Sequence, residues 1–107
     1  MSQKLSEPVL IEVEDKTVTV FLTGDLDHSN AKEIRDDIDF AIDRNLPERL
    51  VLDFSELDFM DSSGIGLIMG RFRKCEPIGC KITVSGAKGT IKKVIKIAGI
   101  ERLATLA

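Results

Sequence analysis

The run Asp61-Ser62-Ser63-Gly64-Ile65-Gly66 sets two hydroxyls and a carboxylate side by side, immediately before apolar residues at helical spacing. Leu50-Val51-Leu52 upstream reads as a buried strand, and Ile65, Ile68, Met69 and Phe72 downstream read as the stripe of an amphipathic helix. A hydroxyl at such a strand-to-helix turn meets backbone N–H groups that have no helical partner. It can cap the helix, or it can receive a phosphate. Capping by Asp61 or Ser62, with Gly64 and Gly66 letting helix and strand pack closely, accounts for part of this composition. It leaves the crowding of Asp, two Ser and two Gly into one turn unexplained.

Other chemistries fit the chain less well. A Ser-His-acid hydrolase would have to use His28, the single histidine, and the serine turn lacks the G-x-S-x-G elbow that exposes a nucleophile. The turn also lacks the Gly-Lys-Ser/Thr ending of a nucleotide loop, as does Ser85-Gly86-Ala87-Lys88-Gly89-Thr90, although a phosphate at the start of the basic helix that follows stays open. Asp53 sits where a receiver domain carries its phosphoaspartate, but Glu14-Asp15 falls in a hairpin turn and supplies no cation-binding pair. Cys75 and Cys80 flank Glu76-Pro77-Ile78-Gly79 without a second pair or a clustered histidine, a poor zinc site. They read as partly buried thiols, unbridged in a reducing compartment. Neither a metal nor a cofactor is expected.

The elements that position the serine turn follow from periodicity. Val9 to Glu14 and Thr17 to Thr23 are rich in β-branched residues around Asp15-Lys16, which predicts an opening antiparallel hairpin. After Gly24-Asp25-Leu26-Asp27, a helix capped by Ser29 or Asn30, with Glu33 completing a capping box, carries the stripe Ala31, Ile34, Ile38, Ala41 and Ile42; Asn45 and Pro47 end it. Arg49 to Phe54 predicts a central strand and Ser63 to Cys75 the second helix. Lys81 to Ser85 is a further strand, followed by a helix with Ile91, Val94, Ile95 and Ala98 inside and Gly99 as its stop. The order is β-β-α-β-α-β-α, with an Ile100 to Leu106 tail able to add an edge strand or a helical turn. Strand-helix-strand units call for parallel pairs.

Composition bounds the remaining possibilities. The 107 residues fit one domain with a single core, and 43% hydrophobic with 31% charged residues is ordinary for a globular chain. Five Phe with no Trp or Tyr argue against a surface that stacks nucleic-acid bases. Residues 1–54 hold six Lys/Arg against thirteen Asp/Glu and the rest nine against five, within a net charge of −3. An acidic first half therefore precedes a basic last helix at Lys88, Lys92, Lys93 and Lys96, either as solvated faces or as a surface that steers a partner. No apolar run resembles a signal peptide or a membrane span, so a cytoplasmic protein is expected.

Phe59-Met60-Asp61-Ser62-Ser63-Gly64-Ile65-Gly66, together with Thr23-Gly24-Asp25-Leu26-Asp27-His28, resembles the anti-sigma factor antagonists of the STAS superfamily, most of all the sporulation branch acting on anti-sigma F factors. The likeness runs from about Val9 to Leu106. It implies a single STAS domain over 1–107, with a mixed sheet of four to five strands and helices packed over it. By resemblance the domain is not an enzyme. Unphosphorylated, it binds an anti-sigma factor that is also a serine kinase and so releases the sigma factor; phosphorylation of Ser62 switches it off and a serine phosphatase resets it. The resemblance also places Asp25, Asp27, Asp61, Ser63 and Gly64 at the partner surface, with Asp25 where Glu is common. Turn formation and capping account for the two loop aspartates as well. Ser63 is a positioning hydroxyl or, alternatively, the acceptor. Neither nucleic acid nor membrane is an expected partner. The family commonly extends past the third helix into a further strand and closing helix, where this chain ends at Ala107. Other roles stay open: a general-stress antagonist, a transport-associated subunit, or a small nucleotide-binding enzyme.

Overall fold

A computed structural model describes the backbone of residues 2–6 and the whole of residues 9–107; Met1, Glu7 and Pro8, part of the start read above for a leader, lie outside the described residues. Six strands form one sheet in sequence order: β1 (Ser2–Ser6), β2 (Val9–Glu14), β3 (Thr17–Leu26), β4 (Arg49–Met60), β5 (Lys81–Ser85) and β6 (Thr105–Leu106). Three helices alternate with the later strands: α1 (Ala31–Asn45), α2 (Ser62–Cys75) and α3 (Gly89–Ile97). The α/β class and element order match the sequence expectation. β1 is an additional edge strand ahead of the hairpin, while the tail forms both a 3₁₀ turn at Ile100–Arg102 and the two-residue β6.

β2 and β3 pair antiparallel from Val9↔Leu22 to Glu14↔Thr17. Asp15 and Lys16 both have positive φ, 48° and 64°, the geometry of a two-residue turn whose twist matches its strands. From β3 onward each strand is parallel to the next, because a helix returns the chain to the same end of the sheet each time. Val18↔Leu50↔Ile82 and Val20↔Leu52↔Val84 align across three strands and are all buried. Ile34, Ile38, Ala41 and Ile42 of α1, Leu67 and Ile68 of α2, and Ile91 and Ile95 of α3 join them in one cluster. The opposite face carries Thr19, Val51 and Thr83 in the same register, all half-buried.

Two readings need correction. β4 does not stop at Phe54 but runs to Met60, because two register shifts against β3 interrupt its alternation: Phe21 pairs with Asp53 but Thr23 with Glu56, and Gly24 with Leu57 but Asp25 with Phe59. Each extra residue flips the inward phase, so the buried series passes from Phe54 to Leu57 to Met60. The buried stripe of α2 is Gly64, Leu67, Ile68, Arg71 and Cys75, whereas Ile65, Met69 and Phe72 only border the core. Arg71, a charged residue in an apolar stripe, is 6% exposed and sets Nε 2.9 Å from Oδ1 of Asp39 on α1. Lys74 Nζ reaches Oδ1 of Asp43 at 2.8 Å one turn further on, so two ion pairs tie the parallel helices together.

Candidate functional site

The serine turn lies where β4 leaves the sheet. Asp25 pairs with Phe59 and Leu26 with Met60, and the Asp61 N–H continues the ladder to the Leu26 carbonyl at 3.2 Å. The two motifs quoted from the sequence therefore meet in space. The extra residues in β4 carry its end level with the start of α1.

Asp61 is the cap of α2. Its Oδ1 accepts the Ser63 N–H at 2.8 Å, and its carbonyl accepts the Gly64 N–H at 2.9 Å. The second oxygen, Oδ2, accepts the His28 N–H at 3.2 Å and lies 3.7 Å from the His28 ring Nδ1. One carboxylate thus fixes the helix start and the neighbouring loop at once. The Ser63 amide above all, then the His28 amide and the side chains of both residues, hold this carboxyl below the usual carboxylate range; partial burial opposes them.

The β3–α1 loop is braced from within. Oδ1 of Asp27 accepts both the N–H and the hydroxyl of Ser29, at 2.9 and 2.6 Å, and the Ser29 hydroxyl bond is the main cause of the lowered Asp27 pKa. Asn30 is the N-cap of α1, but its side chain does not cap, which corrects the expected capping box with Glu33. Its amide is used behind the helix, where Oδ1 accepts the Asp27 N–H at 3.0 Å and Nδ2 donates to the Asp25 carbonyl at 2.8 Å.

Within this frame the two serines differ. Ser63 is half-buried and tied to Asp61 through its amide. Ser62 is exposed at the first position of α2, and among the described residues no hydrogen bond engages its hydroxyl. Asp25 is exposed, Asp27 and Asp61 are half-buried, and Phe59 stands 49% exposed one residue before Met60. Gly64 is buried instead, and a Cβ there would meet the Met60 side chain and Leu26 Cδ2. Its place in the motif is set by packing.

The remaining candidates lie apart from this turn or lack its geometry. His28 is 87% exposed and approaches Asp61, with no serine hydroxyl bonded to it among the described residues. Asp53 accepts the N–H and hydroxyl of Ser55 within β4, at its first register shift. In the Ser85 to Thr90 loop, Gly86 has φ +75° and lies against the Ser55 backbone, so close packing accounts for that glycine. Both cysteines are free and buried, Cys75 completely; burial foremost, then a hydrogen bond with Cys80, pushes the Cys75 thiol up to about 12. A thiol so placed is a weak nucleophile. No helix among the described residues is long and apolar enough to cross a membrane.

Sequence reading missed Arg71 and the contact of His28 with Asp61. A signal for Arg71 existed in the spacing 64, 67, 68, 71, 75, which places it inward on α2 opposite the unused Asp39 of α1.

A sheet with helices packed on one face and a capped, serine-bearing turn at the end of a central strand defines a compact class of α/β domain. The STAS domain family matches residues 8–107, and the chain belongs to that family. The anti-sigma F factor antagonist of Lysinibacillus sphaericus is 34% identical to it over 88 residues, 82% of this chain and 75% of that protein. Among solved structures, the anti-sigma factor antagonist SpoIIAA in its unphosphorylated form aligns with a TM-score of 0.75 at 30% identity, over 92% of this chain and 86% of that one. The Bacillus cell fate determinant SpoIIAA in the phosphorylated form aligns with a TM-score of 0.74 at 32% identity, over 92% of this chain and 90% of the other.

Proposed function

We propose that this chain is an anti-sigma factor antagonist of the sporulation type, a cytoplasmic binding protein that is switched by phosphorylation of Ser62. The observation that carries the assignment is the contrast between the two serines: Ser62 is exposed with no hydrogen bond to its hydroxyl among the described residues, and Ser63 is half-buried with its N–H held by the Asp61 carboxylate. The names of the relatives support the antagonist role, and the phosphorylated form of SpoIIAA supports a phosphate-bearing state.

In the unmodified state the turn, with Asp25, Asp27 and Asp61 around it, docks on an anti-sigma factor that is also a serine kinase and so frees the sigma factor. ATP and the base belong to that partner. Ser62 Oγ attacks the γ-phosphorus of the partner's ATP; the new P–O bond forms as the bond to ADP breaks, and the hydroxyl proton passes to the partner's base. The phosphate adds roughly −1.5 to −2 charge at the first turn of α2, where free N–H groups and the helix dipole tolerate it within the domain. Added to the nearby aspartates, it makes the docking surface strongly anionic, and repulsion plus desolvation weaken the complex. A loss of ~1.4 kcal/mol lowers affinity tenfold. A serine phosphatase reverses the modification.

The test is incubation with the cognate anti-sigma kinase and ATP, read by mass spectrometry of the intact chain and its peptides. One phosphoryl group on Ser62 is expected, retained in Ser63→Ala and lost in Ser62→Ala. Continued modification of Ser62→Ala would overturn the assignment of the acceptor.

A further inference from the structure

Between α1 and α2 runs an open groove of about 370 Å³ that begins beside the serine turn, at Ala31 and Ser63, and continues past the first turn of α1 to Arg35 and along α2 to Arg73. Its walls are cationic. Lys32 and Arg35 come from α1, Arg71 and Arg73 from α2. Two carboxylates answer these four cations: Asp36, which pairs with Lys32 and Arg35, and Asp39, which pairs with Arg71. No carboxylate pairs with Arg73 among the described residues. The Arg71 side chain is more than nine-tenths buried against Asp39, and its Nε and Nη1 lie out of solvent without a well-formed hydrogen bond.

The floor of the groove is kept low by Gly66 and Gly70, one turn apart on α2. An added Cβ at either position would meet nothing within 4 Å. Neither has the positive φ that would demand glycine. Glycine weakens a helix interior relative to alanine, so two of them on the exposed side of α2 need a reason other than the helix. They leave space over the backbone between two rows of positive charge.

The chemistry of the lining favours carboxylates over phosphate. A built phosphate site gathers free backbone N–H groups at a helix start or a glycine-rich turn. This groove opens at the first turns of α1 and α2, where the Ala31 N–H is taken by the Asp27 carbonyl, the Ser63 N–H by Asp61 Oδ1 and the Gly64 N–H by the Asp61 carbonyl. What it offers is guanidinium and ammonium groups spread along its length, and guanidinium matches carboxylate two bonds at a time. The groove is also continuous with the serine turn through Ser63, while the turn itself carries Asp25, Asp27 and Asp61. One face of the domain thus presents a negative end and a positive end.

We propose that the α1–α2 groove receives carboxylate side chains of the protein that docks on the Ser62 turn, so that this partner carries an acidic segment beside the part that meets the serine. The proposal rests on the switch described above for the identity of the partner. It assigns Lys32, Arg35 and Arg73 to recognition of that acidic segment, with Arg71 beneath them as fixed positive charge.

The test places a carboxylate in the groove from this chain's own side. Gly70→Glu competes for the cations, and Gly70→Gln supplies the same bulk without charge; both sit where space is open, and thermal melts check that they fold. Binding of the anti-sigma kinase is expected to weaken about tenfold or more in Gly70→Glu and to stay within about threefold of wild type in Gly70→Gln. Equal affinity of Gly70→Glu and wild type overturns the proposal.

If the wild-type chain binds no anti-sigma kinase, the switch reading fails, and the groove is judged on the chain alone by titrating it, uniformly ¹⁵N-labelled, with a hexaglutamate peptide. Amide shifts centred on Gly66, Gly70 and Arg71 support the groove. Absent shifts, or shifts spread over Lys92, Lys93 and Lys96 of α3, overturn it. A parallel titration with inorganic phosphate that moves the same amides at lower concentration than the peptide also overturns it, in favour of a phosphate site.

Discussion

Gly64→Ala tests whether the serine turn is held in place by packing beneath it. Gly64 is buried in the first turn of α2, and its N–H donates to the Asp61 carbonyl at 2.9 Å. An added methyl would overlap the middle of the Met60 side chain and come within 3.2 Å of Leu26 Cδ2. Met60 is 8% exposed, so its side chain has little free volume to enter. Two effects oppose one another. Replacing glycine in a helix gains about 1 kcal/mol, while overpacking a filled site costs about 1–3 kcal/mol. The expected net is a loss of about 1 kcal/mol, a fall in Tm of about 4–8 °C for a domain of this size. Urea unfolding followed by circular dichroism, with an unchanged slope, measures it. The explanation depends on Met60, so the same substitution in a Met60→Ala background is expected to become stabilising by about 1 kcal/mol, because only the helix term survives. A stabilising Gly64→Ala in the wild-type background, or the same effect in both, would refute the packing account of this glycine.

Gly86→Ala should be the more damaging glycine change, because its Cβ would lie 2.8 Å from the Ser55 amide nitrogen in a backbone with φ +75°, and backbone cannot swing aside. A loss of about 2–5 kcal/mol is expected in the same unfolding assay; a neutral result would refute the close approach. Asp61 carries a pH dependence. Its carboxyl is held below the usual range, chiefly by the Ser63 amide, so the stability it contributes is present above the ordinary carboxylate pKa and is lost as pH falls through its own lower value. The Tm gap between wild type and Asp61→Asn should therefore be open at neutral pH and close as pH falls below the ordinary carboxylate range. A gap constant with pH would contradict the ionic cap.

Much of this arrangement was legible in the sequence where the chemistry is local. The Asp15-Lys16 turn, the stripe of α1 and the bounds of β5 follow from side-chain period and turn preference, which do not depend on distant residues. The end of β4 was not legible, because the two extra residues opposite Phe21–Asp25 exist only as a pairing with β3 and break the alternation that defines a strand in sequence. Asn30 illustrates the same limit. Its type and its spacing to Glu33 fit a capping box, but its amide makes better use of the bent loop at Asp25 and Asp27. Arg71 was hidden by its charge, since its burial depends on Asp39 across the helix pair. At the site, Asp61 and the serines were visible as residue types. That Ser62 is the exposed serine and Ser63 the half-buried one, its amide held by Asp61, became visible only in the structure.

The central claim is that an unmodified Ser62 permits docking and a phosphorylated one forbids it. Titration calorimetry of the anti-sigma kinase with the unmodified chain, and with the same chain phosphorylated at Ser62, tests this directly. The account predicts measurable binding by the unmodified chain and an affinity at least about tenfold weaker after phosphorylation, with the fold intact by circular dichroism. Equal affinity of the two forms, or a loss of binding that follows unfolding of the phosphorylated chain, would contradict it.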